Sequence, residues 1–307
     1  MLVVAPERWD DACFAVPAVR ALVGAGLSVG VLCAADRVDF WNRVDGIDVL
    51  DLQAQPDPGK WDAAIAWDYG PAAKAVKAAR VQRRIAPDGE KRLGRWATHP
   101  VELRVHVLEH RVRHYLATVE ALGVVTRDAA YFAAADAEGG CGQEAVLMCP
   151  DSDFGANHEW PLGRWVELGR VLREDRGMRL AVAKSGRGRG LGAELAERLG
   201  DGVATLDVTD LAGSLGAFAG GAYVVAADGS LPHVAGFAGA TCVVLFGPND
   251  SAWRRPLGKH HAVVCEHVEC APCFMAKCPL DLRCQERLGV ARVAAAVVKT
   301  LDVARVG

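Results

Sequence analysis

The sequence predicts an α/β protein built from two doubly wound parallel sheets. Short apolar runs are bounded by Gly and small polar residues, and helical spacing lies between these runs. The whole alternation restarts after a Gly- and charge-rich stretch near the middle of the 307 residues. A chain of this length accommodates roughly two domains of about 150 residues. With 51% apolar residues, each half can bury an ordinary core.

In the first half, residues 2–5 read as a strand and 12–23 as a helix, with further strands at 29–33, 47–52 and 63–67. Residues 99–122 read as one long helix with Leu103, Val107, His110, His114 and Leu116 in its repeat, ended by Gly123 as a C-cap. Residues 136–143, DAEGGCGQ, read as the linker, so the expected domains are 1–140 and 141–307. The second half begins with a strand at 145–149 and a helix at 162–174 behind Pro161, a favourable helix-start residue. A strand at 180–183 leads into the basic loop KSGRGRGLG, then a helix at 193–199, a strand at 203–206 and a helix at 211–219. Residues 290–303 read as a terminal amphipathic helix behind a Cys-rich tail.

The segment 224–247, VVAADGSLPHVAGFAGATCVVLFG, is the most specific piece of this pattern. It reads as a buried strand, an Asp-Gly-Ser loop, a helix opening near Pro232 and a second buried strand: a βαβ unit. The loop lies at the carboxyl end of its strand, where open α/β sheets bind ligands. Asp228, Gly229 and Ser230 would offer free N–H groups at a helix start, which attracts phosphate. A nucleotide is the expected ligand.

Composition narrows the classes. A formal charge of −3 gives no global reason to expect nucleic acid. No apolar run approaches the roughly 20 residues of a spanning helix, and the start MLVVAPERWDD lacks the form of a signal peptide. The expectation is a soluble cytoplasmic protein that could still work at a membrane face. Of ten cysteines, Cys13, Cys33, Cys149 and Cys242 sit in apolar segments as small hydrophobes. Cys270, Cys273, Cys278 and Cys284 have a spacing that could place four thiolates around a structural Zn2+; reduced thiols and disulfides are the competing readings.

On these residues the chain resembles glycosyltransferase family nine, the bacterial heptosyltransferases. DGSLPHVAGFAGATCVVLFGPND looks like the family signature DSGPMHLAAALGTPVVALFGPTD. VVAPERWDDACFAVPAVRAL is similar to its opening strand, Arg-x-Gly-Asp loop and Pro-Ala helix. HVLEHRVRHYLATVEALG, PDSDFGANHEWPLGRWVEL and CAPCFMAKCPLDLRC are similar to further family segments. The resemblance implies a GT-B fold of two Rossmann-like domains facing across a cleft, the first for the acceptor and the second for the nucleotide sugar. It also implies inverting transfer of a heptose, typically from ADP-heptose, to a sugar hydroxyl such as that of the lipopolysaccharide core, with no metal required for catalysis.

The resemblance assigns Asp11 as general base, since inverting transfer needs a carboxylate to take the acceptor proton. The competing reading is that Asp11 caps the helix near Ala12. Asp10, where the family has Gly, adds a second carboxylate beside it. The resemblance makes Asp228, Gly229, Ser230 and His233 donor-binding residues, with Gly229 and Ser230 exchanged relative to the family; Gly229 is expected to take over a strained backbone position. The resemblance also makes His158 and Trp160 donor-binding residues, standing where the family's Lys and Trp precede Pro, and Glu159 there would oppose a phosphate. Lys184, Arg187 and Arg189 could compensate, or be a solvated basic loop. Arg83, Arg84 and Arg92 are candidates to grip phosphate or carboxylate on the acceptor through paired donors, with His110 and Arg113 weaker ones; a solvated face is the bland reading of the run. The implied partners are a nucleotide-sugar donor and a glycan or lipid-linked glycan acceptor, with peripheral contact to the inner membrane but no nucleic acid. The alternative is a catalytically impaired nucleotide-sugar-binding homologue, motivated by His158, Glu159, Asp10 and the exchanged Gly-Ser.

Overall fold

Strands covered on both faces carry unbroken apolar runs rather than polar alternation, and Val29–Cys33 and Tyr223–Ala227 are buried from end to end. The computed structural model describes residues 1–54, 56–57, 59–106, 108–135, 145–186, 188–219, 222–275 and 277–306. The expected linker at 136–143 and Arg187 lie outside the described residues. The chain forms two compact units, Met1–Ala133 and Ala134–Gly307.

The first unit holds β1 (Leu2–Val4), β2 (Val29–Cys33), β3 (Ile47–Asp51), β4 (Ala63–Ile65), β5 (Arg83–Pro87) and β6 (His99–Val101). They form a parallel sheet in the order β3-β2-β1-β4-β5-β6. Val3 pairs with Val31 on one side and Ile65 on the other. The order reverses between β1 and β4, which makes their carboxyl ends the topological switch point.

The second unit holds β7 (Ala145–Cys149), β8 (Arg179–Lys184), β9 (Ala204–Asp207), β10 (Tyr223–Ala227), β11 (Thr241–Phe246) and β12 (Ala262–Cys265). Their order, β12-β11-β10-β7-β8-β9, repeats the topology of the first unit, again all parallel. Its switch point lies between β7 and β10, where Ala226 pairs with Cys149. The terminal helix Val290–Val306 places Val293, Val297 and Leu301 in the same core cluster as Trp160 and Trp165. Among the described residues no helix is long and apolar enough to cross a membrane.

Several elements depart from expectation for local reasons. The first helix runs Trp9–Gly24 and starts three residues early, because Asp10 and Asp11 in its first turn are favoured by the helix dipole. The long helix expected at 99–122 is the strand β6 followed by the shorter helix Val112–Glu120. Pro100 fixes φ, supplies no donor and pushes His99 toward extended backbone, which suits an edge strand. The helix expected at 211–219 is reduced to Leu215–Phe218. Ser214 Oγ donates to the Asp210 carbonyl at 2.6 Å, a local bond that competes with regular helix.

Candidate functional site

In the second unit the chain leaves β7 through Asp151, Ser152 and Asp153 and leaves β10 through Asp228, Gly229 and Ser230. These neighbouring exits are stitched together. Ser152 Oγ donates to the Asp228 carbonyl at 2.6 Å, and the Ser230 N–H donates to Asp153 Oδ1 at 2.7 Å. Asp228 is fully buried, and its Oδ2 accepts from His158 Nδ1 at 2.8 Å and from Asn249 Nδ2 at 2.7 Å. Its Oδ1 is buried with no hydrogen-bond partner. The fold thus gathers Asp228, Ser230 and His158 at one switch point, with His233 buried on the helix Ser230–Phe237 that starts there.

The helix N-terminal donors are not left open. Asp153 holds the Ser230 amide, and Asp151 accepts from the Leu191 and Gly192 amides at 2.5 and 3.1 Å, at the start of the helix Leu191–Leu199. Burial pushes the Asp151 carboxyl up, and those amide bonds oppose it. An acidic side chain at each helix start meets partial positive charge. Sequence reasoning missed both aspartates, although two acids directly after a buried strand were the available signal.

Glu159 does not stand free against a phosphate, as its position had suggested. Its Oε1 accepts from the Ser152 and Arg189 amides at 3.2 and 3.1 Å, and its Oε2 binds Arg189 Nε at 2.5 Å. Arg189 thus pairs with Glu159 through Nε while its side chain stays half exposed. Gly188, at φ +60°, fits here because a Cβ would lie 2.1 Å from Glu159 Oε1. Lys184 ends β8 with an exposed side chain.

Gly229 has φ −174°, extended backbone open to any residue, so it does not carry the strained conformation expected of it. Its constraint is space: a Cβ would come 3.1 Å from Asp153 Oδ1. Trp160 sits in the core. It is fully buried, donates to the Leu288 carbonyl at 3.0 Å and packs edge-on against Trp165. An aromatic and cationic cluster borders the site instead: Phe154 against His158, and the Arg254 guanidinium over Phe154 and Trp253.

The Cys-rich tail folds back beside these residues. The Cys273 and Phe274 amides donate to the Pro248 carbonyl, and Asn157 Nδ2 donates to the Met275 carbonyl. Cys270, Cys273, Cys278 and Cys284 are free thiols. Among the described residues no three His, Cys, Asp or Glu side chains are arranged to hold a metal.

In the first unit Asp11 lies inside the first turn of Trp9–Gly24, whose N-cap position is Arg8 and not Asp11. Its Oδ1 pairs with Arg111 Nε at 3.2 Å and its Oδ2 with Arg8 Nε at 3.7 Å. Asp10 is fully buried and pairs with Arg8, whereas the Asp11 side chain keeps 13% exposure. Only the second carboxylate of the pair reaches solvent. A cavity of about 230 Å3 opens at the carboxyl ends of β1 and β2, lined by Ala5, Glu7, Cys33 and Arg37 among others.

The expected acceptor cations are scattered. Arg83 and Arg84 open β5 at its amino end, the edge away from the switch point. Arg84 donates to the Trp96 and Val81 carbonyls at 2.8 and 2.7 Å, so its fork holds the strand in place. Arg92 lies exposed in the first turn of Lys91–Trp96, beyond the carboxyl end of β5. Arg113 is spent on Glu120 at 3.0 and 2.8 Å, and the His110 ring packs edge-on against Phe14.

The architecture recurs in solved proteins. The ADP-heptose lipopolysaccharide heptosyltransferase II of E. coli is 18% identical, with a TM-score of 0.78 and coverage of 99% of each chain. The E. coli heptosyltransferase WaaC, solved with ADP, is 16% identical, with a TM-score of 0.71 over 97% of this chain and 99% of that one. The iron-containing dodecameric glycosyltransferase TibC of enterotoxigenic E. coli is 13% identical, with a TM-score of 0.64 over 99% of this chain and 76% of its own. At these identities the likeness establishes the fold, GT-B, with its paired α/β sheets. No curated protein matches the chain by sequence. The model of glycosyltransferase family 9 (heptosyltransferase) matches residues 77–283, more than half of the chain and including the whole Asp228 loop. The chain is therefore a glycosyltransferase that belongs to family 9, the heptosyltransferase family.

Proposed function

We propose that the protein is an inverting, metal-independent transferase that moves a heptose from ADP-heptose to a sugar hydroxyl of a lipopolysaccharide-core-type glycan. The observation that carries the donor side is the buried Asp228, tied to His158 and Asn249 at the switch point of the second unit. Similarity to a heptosyltransferase solved with ADP supports the nucleotide.

In this reading Asp228, Gly229, Ser230, His158 and His233 bind the donor, and Lys184 adds charge from the neighbouring strand end. Asp228 holds the His158 proton at Nδ1, so Nε2 donates to a phosphate only when the ring is charged. The diphosphate takes the Ser230 amide from Asp153 as it binds. On the acceptor side Asp11 takes the hydroxyl proton as the new C–O bond forms. The bond to the diphosphate breaks with its electron pair leaving on the nucleotide, where amides and cations stabilise the charge. Arg92 is the remaining candidate to meet an anionic group on the acceptor. The setting is the cytoplasm, with a lipid-linked acceptor met at the inner membrane face.

The test is turnover of ADP-heptose with a panel of core-sugar acceptors. Asp11→Asn is expected to lose roughly 10²- to 10⁴-fold in rate with its thermal midpoint unchanged; near-normal turnover refutes Asp11 as base. A second reading, a nucleotide-sugar binder without turnover, is favoured by Asp153 on the Ser230 amide and by the pairing of Arg189 with Glu159. Calorimetric binding of ADP without turnover by any acceptor is its signature. Metal analysis for zinc and iron decides whether the tail thiols bind either; a stoichiometric content is the outcome that supports a structural zinc or iron.

A further inference from the structure

The carboxyl ends of β1, β2 and β3 and the helix behind β4 enclose the cavity of about 230 Å3 in the first unit. Ala5 and Glu7 follow β1, Cys33 ends β2, Leu52 follows β3, and Ala72 lies in the first turn of the helix Pro71–Ala78. This is the edge of the sheet at which open α/β folds take ligands. Among the described residues that line it, the charged ones are Glu7 and Arg37. The Arg37 guanidinium lies over the buried Trp9 ring, 3.7 Å from its centroid. Its Nε also meets Asp36 Oδ2 at 3.4 Å, but that carboxylate is 63% exposed and offsets little of the charge. Burial, followed by the charge of Asp51, pushes the Cys33 thiol up to about 12, and Arg37 opposes both, so its charge is felt on the cavity wall. On the other side Asp68 Oδ2 accepts the Glu7 N–H at 3.0 Å. A Cβ at Gly70 would overlap Glu7 Oε1, so this carboxylate rests on the start of Pro71–Ala78, where the helix dipole favours it.

We propose that Arg37 is a specificity-determining residue of the transfer: in this cavity it holds the carboxylate or phosphate of an anionic sugar ring of the acceptor, while Glu7 accepts from hydroxyls of the same ring. This rests on the reading of the first unit as the acceptor side. The cavity is smaller than the roughly 300–1,000 Å3 of a drug-sized pocket, so it takes one ring and excludes a nucleotide. Stacking on Trp9 fixes the plane of the guanidinium and leaves its charge intact, so its fork meets an anion with little left to order. Trp9 also opens the helix whose first turn carries Asp11. An anion held at Arg37 therefore ties the acceptor to the turn that bears the proposed proton acceptor. Arg92, beyond the carboxyl end of β5, does not line this cavity.

Calorimetric titration of the full-length protein with glucuronate, glucose 6-phosphate and glucose tests the cavity without the transfer reaction. An anionic sugar is expected to bind about tenfold tighter than glucose, the worth of a hydrogen bond to a charged group. Glucuronate as the tighter ligand identifies a sugar acid, and glucose 6-phosphate a sugar phosphate. Arg37→Gln brings the anionic sugar to the level of glucose, and Arg37→Lys restores part of the difference. Ala34→Leu, which fills the cavity from an exposed wall position, weakens all three sugars. In the transfer reaction with an anionic acceptor, Arg37→Gln raises acceptor KM about tenfold and leaves kcat and donor KM unchanged. Equal affinity for the three sugars in the wild type, or an anionic preference that survives Arg37→Gln, overturns the role of Arg37. Unchanged anionic affinity in Ala34→Leu overturns the cavity as the site, whether or not Arg37→Gln folds. An anionic preference lost in Arg37→Gln, in a protein that transfers heptose to no acceptor, supports the anion site and overturns the transferase reading instead.

Discussion

Asp151 and Asp153 do for two helix starts what a bound anion would do. Each carboxylate sits on backbone N–H groups that have no partner inside the helix. Asp153 is exposed, so a diphosphate can displace it. Asp153→Ala is expected to raise ADP affinity by about five- to tenfold, the worth of one charge-assisted helix-start contact. Calorimetry reads this, and an unchanged or weaker affinity would separate that amide from the nucleotide site. His114 sets an acid limit. Burial, followed by the charge of Arg111, pushes its ring down to about 4, below the value of about 6.5 that it takes in the unfolded chain. Between those values the unfolded chain binds more protons, so stability is full above 6.5 and lost as the pH falls toward 4. His114→Gln should flatten that fall, checked by denaturant midpoints at about pH 7.5 and pH 5. Asp68 works in the opposite sense: its raised carboxyl favours folding at low pH and loses that contribution as the pH rises through about 6.

Among the elements, strands buried on both faces were legible because apolar runs and their breakers are local signals; Val29–Cys33 and Ala145–Cys149 stand where the sequence predicts them. β5 and β6 were not legible, since one opens on two arginines and the other contains Pro100, and neither shows a continuous apolar run. Periodicity misled at 99–122, where apolar residues at helical spacing were read through a proline. The helix of the signature loop was placed within two residues, from Pro232 to its actual start at Ser230. Trp160, which motif reasoning grouped with the Asp228 loop, lies in the core cluster with Trp165. Trp160→Phe should cost about 1 kcal/mol through the lost bond to Leu288 and leave ADP affinity unchanged; a large loss of affinity would return it to the site. Gly188→Ala should cost more than about 1 kcal/mol, from its positive φ and the clash with Glu159, measured by denaturant unfolding.

At the scale of the whole molecule, each unit has its own sheet of the same topology; Asp11 follows β1 and Asp228 follows β10, each beside its own switch point, while Arg83 and Arg84 lie at the opposite edge of theirs. If nucleotide binding belongs to the second unit, saturating ADP should slow amide exchange in β7, β10 and β11 and leave β1 and β4 unchanged. At a hundredfold excess over Kd the expected gain is about 2.7 kcal/mol in the binding unit. Protection that rises equally in both units would contradict that assignment.

By itself the sequence determined the α/β class, the division into doubly wound halves and the carboxyl-edge position of Asp228, Gly229 and Ser230. Each of these follows from periodicity and chain breakers within a few residues. Only the tertiary structure decided which polar groups meet. Ser230 found Asp153, Glu159 found Arg189, Asp228 found His158, and Asp11 found Arg111. Those partners are far apart in the chain, and which of them meet depends on strand order, a choice that no local pattern records.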